Sequence, residues 1–255
     1  GSAAQIRLTG ILSFDNNPVT TILQKISSKG RPLTEMCEIN QGLVSGADKV
    51  TASHREKLQI KSPIGTGIFV LTREEVSKLS FSGEAREMLM PFYKNSDIRK
   101  WTPDNTIRLF IIYTDRLAPE NNQILEYLSQ FKQILNKRRE VRTNTIKWWQ
   151  LHWPRKRDMF ISEKLLVPQR SHFNTFSYTS SPWFASADVY YITAKSKEIS
   201  LKYILALVNS KVYYHWLYHR GKRKGEMLEL YQTPLSEIPI PRISFDHQQQ
   251  FIKIV

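Results

Sequence analysis

Cysteine is almost absent from this sequence, since Cys37 is the only one in 255 residues. A lone cysteine excludes a disulfide within the chain and a zinc site of the CxxC type, so we expect Cys37 to be a small buried residue. Long apolar runs are absent too, because none approaches the ~20 residues that span a bilayer. Together these absences predict a cytoplasmic protein without a membrane partner.

Catalytic motifs are also missing. Gly65-Thr66-Gly67 lacks the further glycine and the helix of a phosphate cradle, and no HExxH metal motif occurs. No Asp or Glu is followed two positions later by Lys, as in many two-metal nucleases. We therefore predict no catalytic residue, no metal site and no cofactor in this chain. A nuclease whose site is dispersed along the sequence remains the alternative.

Acidic residues are scarce, because 37 Lys and Arg stand against 23 Asp and Glu and leave a net charge of +14. The excess is concentrated in two places. Residues 137–157 hold eight cations and one anion, and residues 220–224 hold four more cations. Such concentration is typical of surfaces that bind nucleic acid. A non-specific nucleic-acid-binding module, including one for RNA, is the second alternative.

Apolar spacing predicts helices starting at Pro18, with Asn17 as the N-cap, and over residues 124–139 and 200–218. Branched and aromatic runs predict strands at residues 68–71, 107–113, 164–167 and 189–192. Residues 39–46 predict a turn that leads into a strand, and Asp246 is expected to cap a last helix. This irregular alternation predicts an α+β fold with a mixed or antiparallel sheet and flanking helices.

The first candidate surface interleaves cations with Trp148, Trp149 and Trp153. Cations there can neutralise phosphates, although a solvated face is the alternative. For Trp148 and Trp149, packing in the core is favoured over stacking on bases. The phosphate-contact candidates are Arg142, Lys147, Arg155, Lys156 and Arg157.

Two further loops carry candidates. Residues 168–174 place Arg170, Ser171 and Asn174 after a strand, and such side chains read base edges; an ordinary polar loop is equally compatible. Residues 219–225 form a glycine-flanked cationic loop at a helix end. A favourable helix dipole explains some cations there, but four exceed what a helix end needs. We expect phosphate contacts from Arg220, Lys222, Arg223 and Lys224.

Several stretches, taken in order, resemble the TaqI-like C-terminal specificity domain of adenine-specific DNA methyltransferases and fused restriction–modification enzymes. Each stretch is weak alone, and the ordered set covers most of the chain from about residue 33. The stretches lie at residues 39–46, 91–101, 148–155, 164–171, 205–211 and 235–241. The last stretch, followed by a helix, also looks like type I specificity subunits, in which a recognition globule leads into a spacer helix.

The resemblance implies a target recognition domain that selects a short sequence in double-stranded DNA. The methyltransferase domain of the same polypeptide would flip out an adenine and methylate it with S-adenosylmethionine, and a fused nuclease would use Mg²⁺. Gln41 and Ser45 become weaker base-contact candidates. The implied division is a linker and helix over residues 1–32, the recognition domain over residues 33–245, and the start of a truncated spacer helix over residues 246–255.

Overall fold

A computed structural model describes residues 18–255. The helices are α1 (Pro18–Lys29), α2 (Leu33–Met36), α3 (Ala52–Leu58), α4 (Arg73–Lys78), α5 (Gly83–Glu87), α6 (Asn122–Ser129), α7 (Lys132–Asn136), α8 (Arg139–Arg142), α9 (Asp158–Ile161), α10 (Leu201–Val208), α11 (Lys211–Arg220), α12 (Gln232–Ser236) and α13 (Phe245–Ile252). A 3-10 turn covers Asn95–Asp97. Asn17, the predicted N-cap of α1, lies outside the described residues.

Within residues 18–255 the strands form four sheets. They are β1 (Gly30–Pro32), β2 (Cys37–Gln41), β3 (Val70–Thr72), β4 (Leu89–Tyr93), β5 (Leu109–Ile112), β6 (Lys164–Pro168), β7 (Arg170–Ser171), β8 (Ser177–Thr179), β9 (Phe184–Ala185), β10 (Val189–Ala194), β11 (Lys222–Lys224), β12 (Met227–Glu229) and β13 (Pro239–Pro241). The sheet orders are β2-β10-β6-β8, β3-β5-β4-β9, β11-β12-β7 and β1-β13. Only the β4–β9 pair is parallel among the strand pairs of the described range. The predicted α+β fold with mixed or antiparallel sheets and flanking helices is confirmed.

The two middle strands of the β2-β10-β6-β8 sheet, β10 and β6, are buried on both faces. Alternation along a strand sends Leu166 and Tyr191 to one apolar core and Leu165 and Ile192 to the other. Cys37 belongs to the second core, where burial raises the pKa of its thiol to about 12. Cys37 is therefore the small buried residue that the sequence predicts. Within residues 18–255 no helix is long and apolar enough to cross a membrane.

Two predicted helices are broken in the structure. The segment 124–139 becomes α6, α7 and the start of α8, because the buried Phe131 leaves helical geometry with φ −108° and ψ 9°. The segment 200–218 divides into α10 and α11. Here the side chain of Asn209 bonds to the backbone of Phe176, and Ser210 caps the second helix. Burial of Phe131 and the bonds between Asn209 and Phe176 therefore interrupt two helices whose apolar spacing is continuous in the sequence.

Three smaller expectations were wrong. Strand β2 precedes the turn at residues 42–46 instead of following it. Ser244, not Asp246, caps α13, because its hydroxyl accepts a bond from the backbone N–H of His247. Residues 222–224 form strand β11 and not a loop. The predicted domain boundaries stay predictions, although β1 pairs with β13 across the first of them.

Candidate nucleic-acid interface

Strands β7, β11 and β12 form a small antiparallel sheet, which we call the basic sheet. Its middle strand, β12, ends in Glu229, which pairs with Lys222 on one side and with Arg170 on the other. The fold thus brings together two cations that are far apart in the sequence and that were assigned different roles there. Neither Glu229 nor β12 was a sequence-predicted part of the site. The acid within the apolar run Met227–Leu230 was the one available hint.

Glu229 holds both cations at its two oxygens. Arg170 Nε lies 3.4 Å from Oε1, and Lys222 Nζ lies 3.4 Å from Oε2. The Tyr231 hydroxyl accepts a bond from Arg170 Nη2 at 2.7 Å and donates to Oε1 at 3.1 Å. Burial opposes ionisation of Glu229, but bonds from Tyr231 and Lys222 and the two positive charges outweigh it and keep its pKa below the ordinary value. An ionised, 7%-exposed carboxylate therefore orients two cations that are themselves largely exposed.

The remaining cations of this region lie along the β11 edge. Lys222, Arg223 and Lys224 are exposed, and Arg220 is half-buried in the last turn of α11. Arg223 stacks its guanidinium 4.0 Å from the ring centroid of Tyr218. A helix-dipole explanation applies only to Arg220, because the other three cations lie on a strand beyond the helix end.

A second cationic surface is formed by residues 152–157, which we call the Trp153 segment. Backbone bonds in both directions join Trp153 to Val44, at 2.9 and 2.8 Å. Trp153 is 52% exposed, and the Arg155 guanidinium lies 5.4 Å from its ring centroid. Arg155 has φ +64°, and its Nε donates to the carbonyl of Gly42 at 3.1 Å. An exposed indole is thereby held beside a fixed cation.

Lys156 and Arg157 continue the Trp153 segment as exposed cations. Arg157 is the N-cap residue of α9, and its Nη2 lies 3.7 Å from the sulfur of Met90. Farther along, Lys147 pairs with Glu120 at 2.7 Å, and both side chains are exposed. Arg142 is exposed at the end of α8. All five cations predicted in this stretch are thus accessible or half-buried, and their phosphate contacts stay predictions.

Arg138, which contributes to the charge run, is instead a buried structural residue. Its Nη1 donates to the carbonyls of Gln150 and Ser45 at 2.7 and 3.2 Å, and its Nη2 donates to Trp148 at 2.5 Å. Burial lowers the pKa of Arg138 to about 10. Trp149 is buried as predicted, whereas Trp148 is half-buried under Lys132. Arg138 therefore supports the backbone beneath this surface and is not itself part of the surface.

Two residues predicted to contact bases, Asn174 and Ser45, are buried and hydrogen-bonded within the described fold. Asn174 is 3% exposed, and its amide donates to the carbonyls of Val208 and Ser210. Ser45 is 5% exposed, and its hydroxyl bonds to Asp48 and to the backbone N–H of Ala47. Both side chains bond to groups of their own fold, which favours a structural role for them.

The other predicted base contacts are at least partly accessible. Arg170 is exposed, whereas Ser171 and Gln41 are half-buried. The Ser171 hydroxyl bonds to that of Thr175 at 3.0 Å, and the Gln41 amide donates to the carbonyl of Ala187 at 2.6 Å. The second amide hydrogen and the carbonyl oxygen of Gln41 remain for a base contact.

Tyr190 is a buried residue of β10 whose hydroxyl is influenced by groups of both regions. It pairs with Gln41 in the β10–β2 register. Burial raises the pKa of the Tyr190 hydroxyl. Tyr231, next to the basic sheet, raises this pKa further, and Arg155 of the Trp153 segment lowers it. Arg155 and Tyr231 are therefore both close enough to Tyr190 for their charges to act on its hydroxyl.

In the range 18–255, no three His, Cys, Asp or Glu side chains lie close enough together to hold a metal ion. The turn at Gly65–Gly67 precedes strand β3 rather than linking a strand to a helix. It is therefore not built to hold the phosphates of a nucleotide-like cofactor at a helix start.

Two solved structures share this fold, which is one found in restriction–modification enzymes. The type IIL enzyme MmeI, solved in complex with DNA, has a TM-score of 0.57 at 14% identity, covering 88% of this chain and 28% of that chain. The type IIG restriction endonuclease BpuSI has a TM-score of 0.54 at 10% identity, covering 93% of this chain and 28% of that chain. At such identities the similarity concerns the fold alone.

Residues 125–240 match the TaqI-like C-terminal specificity domain, which confirms over that range the resemblance drawn from the residues. The stretches at residues 39–46 and 91–101 lie outside the match. The type II methyltransferase M.HindII of Haemophilus influenzae is 25% identical over 214 residues, covering 82% of this chain. The chain spans 38% of that relative's length.

Proposed function

We propose that this chain recognises a short sequence in double-stranded DNA on behalf of a restriction–modification methyltransferase that modifies adenine at N6. The observation that carries the proposal is the shared carboxylate of the basic sheet. Glu229 fixes Arg170 and Lys222 side by side on the solvent face of a domain that matches a specificity family. A fixed pair of cations suits recognition better than two flexible side chains, because less conformational entropy is lost on binding.

The two cations have complementary chemistry. A guanidinium can donate two parallel bonds to a guanine edge in the major groove, whereas an ammonium is a point charge suited to phosphate. We assign base reading to Arg170 and, more weakly, to Ser171 and Gln41. Phosphate contacts are assigned to the cations of the β11 edge and of residues 142–157, namely Arg220, Lys222, Arg223, Lys224, Arg142, Lys147, Arg155, Lys156 and Arg157.

Methyl transfer itself is assigned to a domain outside these 255 residues, on the same polypeptide. That domain would bind S-adenosylmethionine, which supplies the methyl group. If the parent enzyme also carries a nuclease, Mg²⁺ would be held there. This chain would hold the duplex in register while the target adenine leaves the stack.

The two rival functions lack a favouring observation. A nuclease with a dispersed site would cleave duplex DNA in Mg²⁺ or Mn²⁺. A non-specific module would bind duplex RNA or single strands as readily as duplex DNA.

A competition experiment tests the proposal. A labelled duplex DNA pool is bound and then displaced by unlabelled duplex DNA, duplex RNA or single-stranded DNA of equal length. We expect duplex DNA to be the strongest competitor and the labelled DNA to remain intact in Mg²⁺. Equal competition by all three, or sustained cleavage that a single carboxylate substitution abolishes, would contradict the proposal.

A further inference from the structure

Phe173 is a large apolar side chain that the fold leaves in solvent beside the basic sheet. It is 66% exposed and lies two residues beyond strand β7, which carries Arg170. Isolated exposed aromatics are common, so exposure alone indicates little. Phe173 differs from most exposed aromatic residues because hydrogen bonds fix the chain next to it.

Hydrogen bonds hold the Phe173 loop in place. On its C-terminal side, the Asn174 amide donates to Val208 and Ser210 carbonyls at 2.6 and 2.8 Å. Asn209 bonds reciprocally to the backbone N–H and C=O of Phe176, at 3.1 and 2.9 Å. The exposed ring is thus presented on a loop anchored to the junction of α10 and α11.

Aromatic rings extend from Phe173 towards the cations. Its ring centroid lies 6.1 Å from that of Tyr214, which in turn lies 6.0 Å from Tyr218, under the guanidinium of Arg223. Phe173 therefore follows Arg170 closely in the chain, and the aromatic row that starts at Phe173 ends under the guanidinium of Arg223. A protein that separates stacked bases needs a rigidly held apolar side chain to insert between them. It also needs nearby cations that neutralise the phosphates.

We infer that Phe173 is a wedge that enters the base stack of the bound duplex, at a step next to the bases that Arg170 contacts. The inference rests on the proposed function, since it needs duplex DNA on this face. Partial insertion of an apolar ring unstacks one step and kinks the duplex, and the cost depends on the sequence of that step. Phe173 would therefore add sequence preference at a position where no hydrogen bond is made.

The test uses a duplex carrying the chain's selected site, with 2-aminopurine substituted at one position at a time. Wild type is expected to raise 2-aminopurine fluorescence at a single step, and Phe173→Ala to abolish the rise and weaken binding about tenfold. Phe173→Leu should retain part of both effects. On a duplex with a one-nucleotide gap at that step, Phe173→Ala should regain most of the lost affinity, because the step is already unstacked.

The outcomes separate the wedge from the proposed function. If no duplex sequence is preferred by the wild-type chain, the proposed function fails and the wedge fails with it. If a sequence is preferred but no position brightens, or Phe173→Ala binds like wild type, only the wedge is wrong. If Phe173→Ala loses affinity only when the parent's methyltransferase domain is present, Phe173 instead contacts that domain and the wedge is also wrong. Thermal unfolding of Phe173→Ala checks folding and should match wild type, because the ring is exposed.

Discussion

Arg170 and Lys222 bind the two oxygens of one buried carboxylate, Glu229, each at 3.4 Å. They come from strands on either side of β12, so their spacing is set by the sheet and not by the flexibility of the side chains. This relationship determines what substitutions at either residue should do. Removing one cation leaves the other still paired, so two different recognition roles can be separated experimentally.

Replacing Arg170 should relax recognition of one base pair. Arg170→Ala is expected to cost ~1–3 kcal/mol on the preferred site and much less on sites changed at that base. Arg170→Lys keeps the charge but loses the bidentate fork, so it should show the same relaxed preference. Binding to a panel of duplexes, each changed at one position, measures this. Wild-type preference in the Lys variant would assign Arg170 to phosphate instead.

Replacing Lys222 should weaken binding to all sequences alike. Loss of one phosphate contact is expected to lower the slope of log K against log salt by about 1. Lys197→Ala is the matched control, because Lys197 is exposed beyond the end of β10 that is remote from Tyr190. Titration at four or five salt concentrations measures the slope. An unchanged slope, or a changed base preference, would contradict the assignment.

Replacing Arg138 should destabilise the fold. Arg138→Met leaves the carbonyls of Ser45, Trp148 and Gln150 without their donor in a buried site, so the free energy of unfolding should fall by about 3 kcal/mol. Arg139→Met, at the exposed neighbouring position, should change it by less than about 0.5 kcal/mol. Urea unfolding followed by tryptophan fluorescence compares them. Similar losses in both variants would show that Arg138 does not hold this region together.

Lys164 should make stability depend on pH. Its buried ammonium donates to the carbonyls of Ser162 and Ser181, and burial lowers its pKa from 10.5 to about 8. Below pH 8 the folded protein carries the cost of a buried charge. As pH rises from about 8 towards 10, the folded state releases this proton before the unfolded state does, so stability rises.

The measurement is the difference in unfolding free energy between wild type and Lys164→Met. This difference should shift in favour of wild type by on the order of 2 kcal/mol across that window. Buried tyrosines with raised pKa, such as Tyr127, act equally in both proteins and cancel. Lys197→Met, at an exposed position, serves as the control and should show no such shift. A flat difference for Lys164→Met would mean that Lys164 is not buried in its charged form.

The strands at the centre were predictable because local pattern and tertiary burial agree. Apart from Lys164, the runs at residues 164–167 and 189–192 place apolar or aromatic side chains on both faces, and β6 and β10 contribute to both cores. The helix at residues 200–218 was not predictable as two helices. Its break depends on Asn209 bonding to Phe176, a contact between distant segments that no local period reveals.

The candidate site, like the fold, was only partly predictable from the sequence. The identity of Arg170 and Lys222 as candidates followed from residue type and local charge, but their shared partner depends on β12 pairing with two distant strands. Asn174 and Arg138 show the opposite case. Their side-chain chemistry suits DNA, yet in the fold both donate hydrogen bonds to backbone carbonyls. The sequence shows that a charged group or an amide is present, but not which way its side chain points.

The central claim is that this chain reads DNA sequence by itself. Selection from a randomised duplex pool at ~150 mM salt tests it directly, because weak non-specific binding is suppressed there. We predict enrichment of one short motif whose preference at a single base pair is lost in Arg170→Ala. Retained sequences without a common motif, with binding that simply disappears as salt rises, would contradict autonomous sequence recognition.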